Sequence, residues 1–440
     1  MVKLTGTFSK LQKVHILVIG DFMLDRYTYG DVKRISPEAP VCVLKVDNEK
    51  ILPGGAGNVV LNLLSLGSKV TAIGRVGDDI QGDILKKLLK DKNANVDYLY
   101  SQKNYKTSLK NRFIAESQQV LRVDFEKIEP LLEELENKII KRFEKILKSI
   151  DVIAISDYGK GFLSDKLLRC LIDMANEKKI PVIVDPKGNN FKKYAKATIL
   201  KPNLKEAFIA ANLTDADDIE LASKNILDKT NVNYLMITRS KDGISLFSKD
   251  KKTKNFPAKT KEVKDVTGAG DTVLAMLCIA IANKLSIDHA SELCNIAASI
   301  AIEHIGCMEI TLEVFAKRLL EYDIENKIFD FSHLFALKKV LENKKFSLLG
   351  IHSFNLVTDI FKAIKKLSKI TKEIIIYILD ENPKDEFVDL LSSFNEVSFI
   401  VLNNSNLKNL IDEISPTDIY IMKKNELCKL SNTKEFIKSF

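Results

Sequence analysis

The sequence predicts an α/β fold in two units, a large one built on a parallel sheet and a smaller one at the carboxyl end. Short β-branched runs alternate with longer apolar-periodic segments between about residues 130 and 304, which is typical of strands and crossover helices. Two earlier segments alternate apolar and polar residues instead, which favours a small separate sheet. The strand–helix alternation restarts after about residue 324.

The elements of the larger unit follow in a regular order. Residues 15–19, ending in Gly20-Asp21, predict a buried central strand with a functional loop after it. Segments 41–46 and 109–125 predict half-exposed strands of a small antiparallel sheet, with a helix at 58–66 and a strand at 70–73 between them. Further helices are predicted at 133–150, 167–179, 271–283 and 287–304, and further strands at 152–155, 182–184, 199–201 and 234–237.

The smaller unit is predicted as a Rossmann-like α/β domain. Its strands are expected at 346–350, 374–379, 397–402 and 419–422, with a helix at 356–369. The charged and aromatic segment 321–332 has no clear period and is the expected linker. The predicted domains are therefore 1–323 and 324–440.

Composition and charge argue against a nucleic-acid-binding, membrane or secreted protein. The chain has 440 residues, 45% hydrophobic, with a net charge of +8 spread over mixed lysines and carboxylates, so a folded protein without a nucleic-acid-binding surface is expected. The longest apolar stretch, 273–283, is too short to cross a membrane. The start of the sequence shows no secretory signal, and none of the six cysteines forms a C-x-x-C pair. We therefore expect a cytoplasmic protein with reduced, buried thiols and no membrane partner.

The strongest local signal is Asp265-Val-Thr-Gly-Ala-Gly-Asp271, which leads directly into a predicted helix. Small residues let backbone N–H groups approach a ligand closely, and the helix dipole adds positive potential for a phosphoryl group in transfer. Asp271 in the same turn is placed to accept a proton from an attacking hydroxyl. The alternative is a tight turn in which aspartate only caps the helix.

A second glycine cluster, Pro53-Gly-Gly-Ala-Gly-Asn58, also opens a helix. Gly54, Gly55 and Asn58 offer the backbone donors and amide that a polyol needs at close range, although a glycine loop capped by Asn58 is the alternative. The sequence contains neither the dinucleotide-binding glycine pattern after the first strand nor a Walker-type phosphate loop.

A third element, Lys201-Pro-Asn-Leu-Lys-Glu206, follows a predicted strand. Asn203 and Glu206 lie one helical turn apart, so they can face the water shell of one Mg²⁺ ion, or alternatively form a capping box. Asp157-Tyr-Gly-Lys-Gly161 and Asp185-Pro-Lys-Gly188 also follow strands, and ligands of open α/β sheets bind at the carboxyl ends of strands.

Together these motifs resemble the ribokinase-like sugar kinase family. Over residues 8–320 the chain is most similar to the kinase half of bifunctional heptose 7-phosphate kinase/heptose 1-phosphate adenylyltransferases. The similarity is carried by Gly20-Asp-Phe-Met-Leu-Asp-Arg-Tyr27, Arg34-Ile-Ser-Pro-Glu-Ala-Pro40 and Gln118-Gln-Val-Leu-Arg-Val-Asp-Phe125, and by the motifs at 156–161 and 185–188. The resemblance implies a ribokinase-like parallel-sheet sandwich with a small β-sheet lid, and homodimers that pair through the lid.

The resemblance also implies roles for individual residues. Asp271 would be the catalytic base, with Gly268, Ala269 and Gly270 as the anion hole. ATP would contact Asn203, Leu204, Lys205, Glu206 and Thr267, with Mg²⁺ held through water by Asn203 and Glu206. Asp265 would help to hold a monovalent cation. The sugar would contact Asp21, Gly54, Gly55 and Asn58, with Arg122, Lys160 and Lys187 as candidates for its 7-phosphate.

The second unit resembles a degenerate adenylyltransferase domain. That family carries an H-x-G-H motif after its first strand, whereas this chain has Gly350-Ile-His-Ser-Phe-Asn-Leu-Val-Thr-Asp-Ile360 there. His352 is alone and out of place, so we interpret it as structural and expect adenylyl transfer to be lost or severely weakened.

The leading hypothesis is an ATP- and Mg²⁺-dependent kinase. It would phosphorylate D-glycero-β-D-manno-heptose 7-phosphate at O1, in the ADP-heptose branch that feeds lipopolysaccharide core synthesis. Three alternatives stay open: a kinase of another sugar phosphate, a bifunctional protein that still makes ADP-heptose, and a non-enzymatic binding or assembly protein.

Overall fold

A computed structural model gives the fold. It describes residues 11–116, 118–214, 217–249, 251–258, 263–304, 306, 308–323, 327–329, 337–338, 341–380, 383–402, 407–423 and 426–430. The chain divides into two compact units, a first unit over Gln12–Leu312 and a second unit that holds Glu313–Phe440. Each is described on its own. The predicted domain boundary at 323/324 stays a prediction.

A mixed sheet forms the centre of the first unit. Its strands are β1 (His15–Gly20), β4 (Lys69–Gly77), β5 (Asn95–Gln102), β8 (Val152–Ser156), β9 (Val182–Asp185), β10 (Ile199–Leu200), β11 (Tyr234–Thr238), β12 (Ile244–Ser248) and β13 (Lys251–Phe256). Among the described residues their order is β13-β12-β11-β10-β9-β8-β1-β4-β5. Neighbours from β5 through to β11 pair in parallel, while β12 and β13 add an antiparallel edge.

Helices cover this sheet, as the alternating pattern predicts. They are α1 (Ala56–Ser65), α2 (Ile80–Asp91), α3 (Glu133–Ile146), α4 (Asp165–Glu177), α5 (Leu204–Ala211), α6 (Ile219–Thr230), α7 (Ala269–Ala282) and α8 (Ile287–Ile302). The apolar run of β1 is fully buried between β4 and β8, and α7 is buried from Asp271 through Ala280. Burial on all sides follows from an apolar composition without a polar stripe.

A second sheet forms the predicted lid. Its strands are β2 (Phe22–Ile35), β3 (Cys42–Gly55), β6 (Ser108–Ala115) and β7 (Gln118–Phe125), in the order β3-β2-β6-β7. The lid strands predicted at 41–46 and 109–125 are present, but the second is two strands joined by a turn. β2 and β6 pair in parallel, so the expectation of a purely antiparallel sheet is wrong.

The loop expected after Gly20-Asp21 is also wrong, because β2 begins at Phe22. Six of its first seven residues are buried, with no polar–apolar alternation to mark a strand. Its two neighbours in the lid supply the hydrogen bonds that extend the chain there.

The second unit is a smaller α/β sheet, as predicted. Its strands are β14 (Ile328–Phe329), β15 (Phe346–Ile351), β16 (Glu373–Ile378), β17 (Phe399–Leu402), β18 (Asp418–Lys423) and β19 (Glu426–Leu430), in the order β14-β17-β16-β15-β18-β19. Only β19 pairs in an antiparallel manner among these described strands. The helices are α9 (Leu312–Asp323), which starts at the boundary, α10 (Val357–Leu367), α11 (Asp385–Ser392) and α12 (Leu407–Ile414).

The predicted linker at 321–332 lies partly outside the described residues. Where it is described, its first residues end α9, and Ile328–Phe329 adds an edge strand to the smaller sheet. In the described part of the chain, no helix combines the length and apolar character that crossing a bilayer requires. Cys278 and Cys294 are buried thiols, whereas Cys42 is exposed, contrary to the general expectation. Cys307 lies outside the described residues.

Candidate active site

The candidate site lies at the carboxyl edge of the large sheet. Asp21 follows β1, Asp157 follows β8, and Asp185 ends β9. These three strands are neighbours and parallel, so their carboxyl ends meet at one edge. The first turn of α7 brings Asp271 to the same place.

Asp271 is the best-positioned proton acceptor of this site. Its side chain is 3% exposed. Nδ2 of Asn58 donates to Oδ2 at 2.8 Å, and the hydroxyl of Tyr158 donates to Oδ1 at 2.7 Å. Burial raises the pKa of Asp271 to about 6, and the donors on Asn58 and Tyr158 limit the rise because they favour the carboxylate.

The amino end of α7 is open to a small anion. Gly268 precedes the helix with φ 78°, a left-handed conformation that glycine adopts without strain. A Cβ at Gly270 would lie 3.6 Å from Nζ of Lys201 and 3.7 Å from Oδ2 of Asp185. The glycine turn and a lysine ammonium therefore face one another beside Asp271.

Lys201 and Asp185 form a buried ion pair. Nζ lies 3.0 Å from Oδ2, and the lysine side chain is only 2% exposed. Burial raises the pKa of Asp185 to about 7, and the negative charges of Glu206 and Asp271 add to this rise. The positive charge of Lys201 opposes it.

Asp21 is held by the loop after β8. Its Oδ2 accepts hydrogen bonds from the backbone N–H groups of Tyr158 at 2.9 Å and Lys160 at 3.0 Å. The carbonyl of Lys160 in turn accepts from Nη2 of buried Arg75 at 2.7 Å. Burial and the charge of Asp157 raise the pKa of Asp21. The two backbone hydrogen bonds oppose this rise because they favour the carboxylate.

The glycines of the second cluster pack closely against the backbone of Asp21 and the carboxylate of Asp25. Gly55 has φ 57°, and a Cβ there would lie 2.6 Å from the carbonyl oxygen of Asp21. A Cβ at Gly54 would lie 2.3 Å from Oδ2 of Asp25. A cavity of about 400 Å³ beside these glycines is lined by Asn58 and Pro53, among other residues.

The lid contributes cationic side chains above this edge. Nη1 of Arg112 on β6 pairs with Oδ1 of Asp25 at 2.5 Å. Glu126, just after β7, pairs at 2.5 Å with Nζ of Lys160 from the loop after β8. Lys110 lies over the ring of Tyr158, and burial lowers its pKa. Arg122, by contrast, is exposed on the outer strand β7 and pairs with Asp124.

The Asn203–Glu206 element forms the capping box of α5. Oδ1 of Asn203 accepts from the N–H of Glu206 at 2.9 Å, and Oε2 of Glu206 accepts from the N–H of Asn203 at 3.0 Å. Nζ of Lys187 pairs with Oε1 of Glu206 at 2.8 Å. The Lys187 side chain also lies beside the loop after β8, since a Cβ at Gly159 would be 3.6 Å from its Cγ.

The carboxylates at this edge can hold a metal ion through bound water. In the described part of the chain, no three His, Cys, Asp or Glu residues are grouped as direct ligands. Both oxygens of Glu206 are already engaged, yet carboxylate oxygens keep lone pairs that can accept hydrogen bonds from metal-bound water.

Asp265 organises the turn before α7. Its Oδ1 accepts from the N–H and hydroxyl of Thr267, and its Oδ2 accepts from the N–H of Gly306. Burial opposes ionisation, but these three donors outweigh it and lower the pKa of Asp265. Leu204 and Lys205 begin α5 beside the capping box.

Most of the residues at this edge were predicted from the sequence, but four were not. The structure places Asp21, Gly55, Asn58 and Asp271 around one edge, as expected. It adds Tyr158, Asp185, Lys201 and Asp25, which the sequence analysis did not name as site residues. Tyr158 and Asp185 lie within motifs that follow strands, so their position was a usable signal, whereas nothing local marks Lys201 as buried.

Comparisons with known proteins agree with this geometry. The model of the pfkB family carbohydrate kinases matches residues 13–313. The chain belongs to the pfkB family of carbohydrate kinases. The predicted ribokinase-like fold is confirmed.

Two similar curated relatives span nearly the whole chain. "Bifunctional protein HldE" of Campylobacter fetus subsp. fetus is 36% identical over 97% of this chain and 95% of its own length. The protein of the same name from Campylobacter jejuni subsp. jejuni serotype O:2 is 38% identical over 97% of this chain and 92% of its own length. Among solved structures, phosphofructokinase-2 from Escherichia coli in complex with potassium has a TM-score of 0.59 at 21% identity, over 70% of this chain and 98% of that one. That likeness concerns the fold.

Proposed function

We propose that the protein transfers the γ-phosphoryl group of ATP to O1 of D-glycero-β-D-manno-heptose 7-phosphate. The products are the 1,7-bisphosphate and ADP, in a cytoplasmic step of the ADP-heptose branch that feeds lipopolysaccharide core synthesis. The HldE relatives and the pfkB family match support this assignment. The single observation that carries the chemistry is buried Asp271, held by two donors at the amino end of α7.

Asp271 acts as the general base. With a pKa of about 6 it is mostly ionised at neutral pH, yet basic enough to accept a proton. The O1 hydroxyl gives its proton to the carboxylate as the O1–Pγ bond forms. The bond between Pγ and the β,γ-bridging oxygen breaks, and its electron pair leaves with ADP.

The backbone of Gly268, Ala269 and Gly270 stabilises the transferring group. These residues form the first turn of a 14-residue helix, whose N–H groups and dipole favour negative charge. Lys201 adds a positive charge opposite Gly270. No reorganisation of the turn is needed, since α7 is fixed by burial.

The nucleotide side is formed by the start of α5 and the turn before α7. Asn203, Leu204, Lys205, Glu206 and Thr267 contact ATP in this proposal. Asn203 and Glu206 would hold Mg²⁺ through water, and the ion would supply positive charge that neutralises the phosphates. Asp265 fixes Thr267 and helps to hold a monovalent cation.

The sugar lies between the edge of the large sheet and the lid. Asp21, Gly54, Gly55 and Asn58 contact its hydroxyls, because two carboxylate-bearing strands and a glycine turn converge there. Lys160, Arg122 and Lys187 remain candidates for the 7-phosphate. Lys160 has the strongest support, because its side chain is mostly buried and its backbone N–H donates to Asp21.

The protein forms a homodimer through the lid. Apolar side chains are exposed on this sheet, namely Ile35, Val41, Val46, Val120, Leu121 and Phe125. A second lid would cover them. A Leu121→Lys/Phe125→Lys variant should be monomeric by light scattering, and a dimer that persists would contradict lid pairing.

Adenylyl transfer is lost or severely weakened in the second unit. His352 stacks on Phe354, and its Nδ1 lies 3.6 Å from a carboxylate oxygen of Asp380. One histidine occupied in this way does not replace two that contact a triphosphate. Pyrophosphate release from ATP and heptose 1-phosphate by the full chain would overturn this part of the proposal.

The deciding experiment is ³¹P NMR of the full chain with ATP, Mg²⁺ and the heptose 7-phosphate. A new anomeric phosphate signal together with ADP is expected. Asp271→Asn should lower kcat by about 10²–10⁴-fold, the usual contribution of a positioned base, whereas Asp228→Asn on the exposed face of α6 should not. Greater kcat/KM on another sugar phosphate would replace the heptose assignment, and binding without turnover of any sugar would favour a non-enzymatic role.

A further inference from the structure

The second unit contains a pocket at the amino-terminal edge of its sheet. The pocket has a volume of about 500 Å³, and its lining includes Phe346, Glu373 and Asp418, the first residues of β15, β16 and β18. The residues that replace H-x-G-H follow the other end of β15. The pocket is therefore at the opposite edge from the degenerate nucleotide site.

Two of the lysines that line this pocket form no ion pair with another described residue. Nζ of Lys344 lies 3.4 Å from Glu373, and Asp418 pairs with Lys429 at 2.6 Å. Lys345 and Lys372 also line the pocket, and neither has an ion-pair partner among the residues that the structure describes. Two ammonium groups without carboxylates attract an anion.

A buried hydroxyl marks the floor of the pocket. Ser347 lines it and is 1% exposed, yet its Oγ has no hydrogen-bond partner among the described residues. Along β15, Ser347 lies on the same face as Leu349 and Ile351, which pack with α10. Ile370 and Lys372, in the connection after α10, also line the pocket.

An orphan hydroxyl in a folded interior is costly and uncommon. A ligand oxygen that accepts from Ser347 would remove this cost. Thr417 also lines the pocket, and its hydroxyl accepts from the N–H of Phe346, which leaves its own proton to donate. The Thr371 hydroxyl, by contrast, donates to backbone carbonyls, and exposed Ile370 provides an apolar wall. Hydroxyl donors at the floor and ammonium groups at the rim suit a phosphate group better than a carboxylate with fewer acceptor oxygens.

We propose that this pocket binds a small phosphate-bearing anion, with Ser347 donating to a phosphate oxygen and Lys345 and Lys372 neutralising its charge. The ligand is inorganic phosphate or the phosphoryl end of a small ester. The site is independent of the kinase reaction, so it can exist whether or not the heptose assignment holds.

Hydrogen exchange of the full chain, read by mass spectrometry, tests the proposal directly. Inorganic phosphate and glycerol 3-phosphate serve as two separate probes, each against chloride at equal ionic strength. Protection is expected in peptides that cover 344–347 and 370–373. Protection by both probes identifies the phosphate group as sufficient, and protection by the ester alone identifies an ester as the ligand. No protection of these peptides by either probe overturns the site.

Matched variants separate the pocket from general charge. Lys345→Ala/Lys372→Ala should weaken the binding behind this protection by about tenfold or more, the usual effect of losing charged hydrogen bonds. Lys384→Ala/Lys423→Ala removes the same charge from exposed lysines elsewhere in the unit and should bind as the wild type does. Equal weakening in both pairs would reduce the effect to bulk electrostatics and contradict the site.

The Ser347→Ala variant is a second, independent test of the site. It should weaken binding by about tenfold while the melting temperature of the free protein is unchanged or higher, because an unsatisfied hydroxyl has been removed. Unchanged affinity in this variant would remove Ser347 from the site. Kinase turnover should stay at the wild-type level in all these variants.

Discussion

The hydroxyl of Tyr158 donates a 2.7 Å hydrogen bond to Oδ1 of Asp271. Tyr158 belongs to the loop after β8, and Asp271 to the first turn of α7, so the bond joins two elements that are far apart in sequence. Asn58 of α1 donates to the other oxygen. The basicity of Asp271 is thus set by two donors that oppose the effect of burial.

Removal of the tyrosine donor should make Asp271 more basic. In Tyr158→Phe the carboxylate loses a hydrogen bond, so its pKa rises above about 6 and the base becomes protonated at a higher pH. The acidic limb of kcat/KM should move upward by about one pH unit, the equivalent of one hydrogen bond to a charged group. A pH profile measures this shift. Tyr98→Phe, remote from Asp271, is the control, and an unmoved limb in Tyr158→Phe would contradict the role of the bond.

Loss of Lys201 should destabilise the protein most at high pH. In Lys201→Met the carboxylate of Asp185 stays buried without its cation, so its pKa rises further above about 7. A folded-state pKa above the unfolded value means that the native state binds the extra proton, and stability falls as pH rises through that window. We expect a loss of about 3 kcal/mol above the raised pKa and less at pH 5.

Urea unfolding followed by circular dichroism at two pH values measures the effect. Lys254→Met is the matched control, since Lys254 and Asp288 form an ion pair that is about half exposed. That variant should change the free energy of unfolding by less than about 1 kcal/mol. A pH-independent loss in Lys201→Met would show that packing, not charge, explains the role of Lys201.

Two glycines with positive φ should respond differently to alanine. Gly188 has φ 86°, but the position that an added methyl group would occupy is open space, so Gly188→Ala should cost only about 1 kcal/mol of backbone strain. Gly55→Ala adds a collision with the carbonyl of Asp21. That variant should lose about 2 kcal/mol or more, and it should also raise KM for the sugar phosphate. Equal losses in thermal unfolding would refute the steric argument.

The cap of α2 should contribute more to stability than an ordinary cap. Asp79 accepts from the N–H of Gly82, and from both the N–H and the hydroxyl of Thr107 at the start of the lid strand β6. Asp79→Ala should cost about 2 kcal/mol or more, because three donors lose their acceptor. Ser286→Ala, which removes a single 3.2 Å cap bond from α8, should cost about 1 kcal/mol in the same thermal assay. A smaller loss for Asp79→Ala than for Ser286→Ala would be unexpected.

The sequence predicts the large sheet well because its strands and helices are marked locally. Buried runs such as those of β1 and β8 are short and β-branched, and the helices between them are amphipathic. The strands β5, β12 and β13 were not predicted. β13 has three lysines among its six residues and little apolar pattern, whereas β12 is apolar but only five residues long. β2 was missed because its buried first half shows no polar–apolar alternation, and one of its two partners, β6, is remote in sequence.

In the candidate site, too, residues marked by a local sequence pattern were predicted, and residues placed by distant contacts were not. Asp271 and Asn58 were found because glycine-rich turns mark the positions where helices begin. Lys201 was not, because a lysine in the sequence gives no sign that it will be buried against Asp185. Tyr158 could be located only approximately, since a motif after a strand does not specify which of its side chains turns towards a distant helix.

The parallel pairing of the lid has a consequence for the order of folding. Met23 of β2 pairs with Ser108 of β6, and the chain between them builds α1, β4, α2 and β5 of the large sheet. Such non-local pairs form slowly, since the loop between them must close before any contact compensates the lost entropy. The local β2–β3 hairpin should therefore acquire protection from exchange before the β2–β6 pairing does. A nascent chain released before residue 108 would have a sheet edge at β2 that is still unpaired on one side.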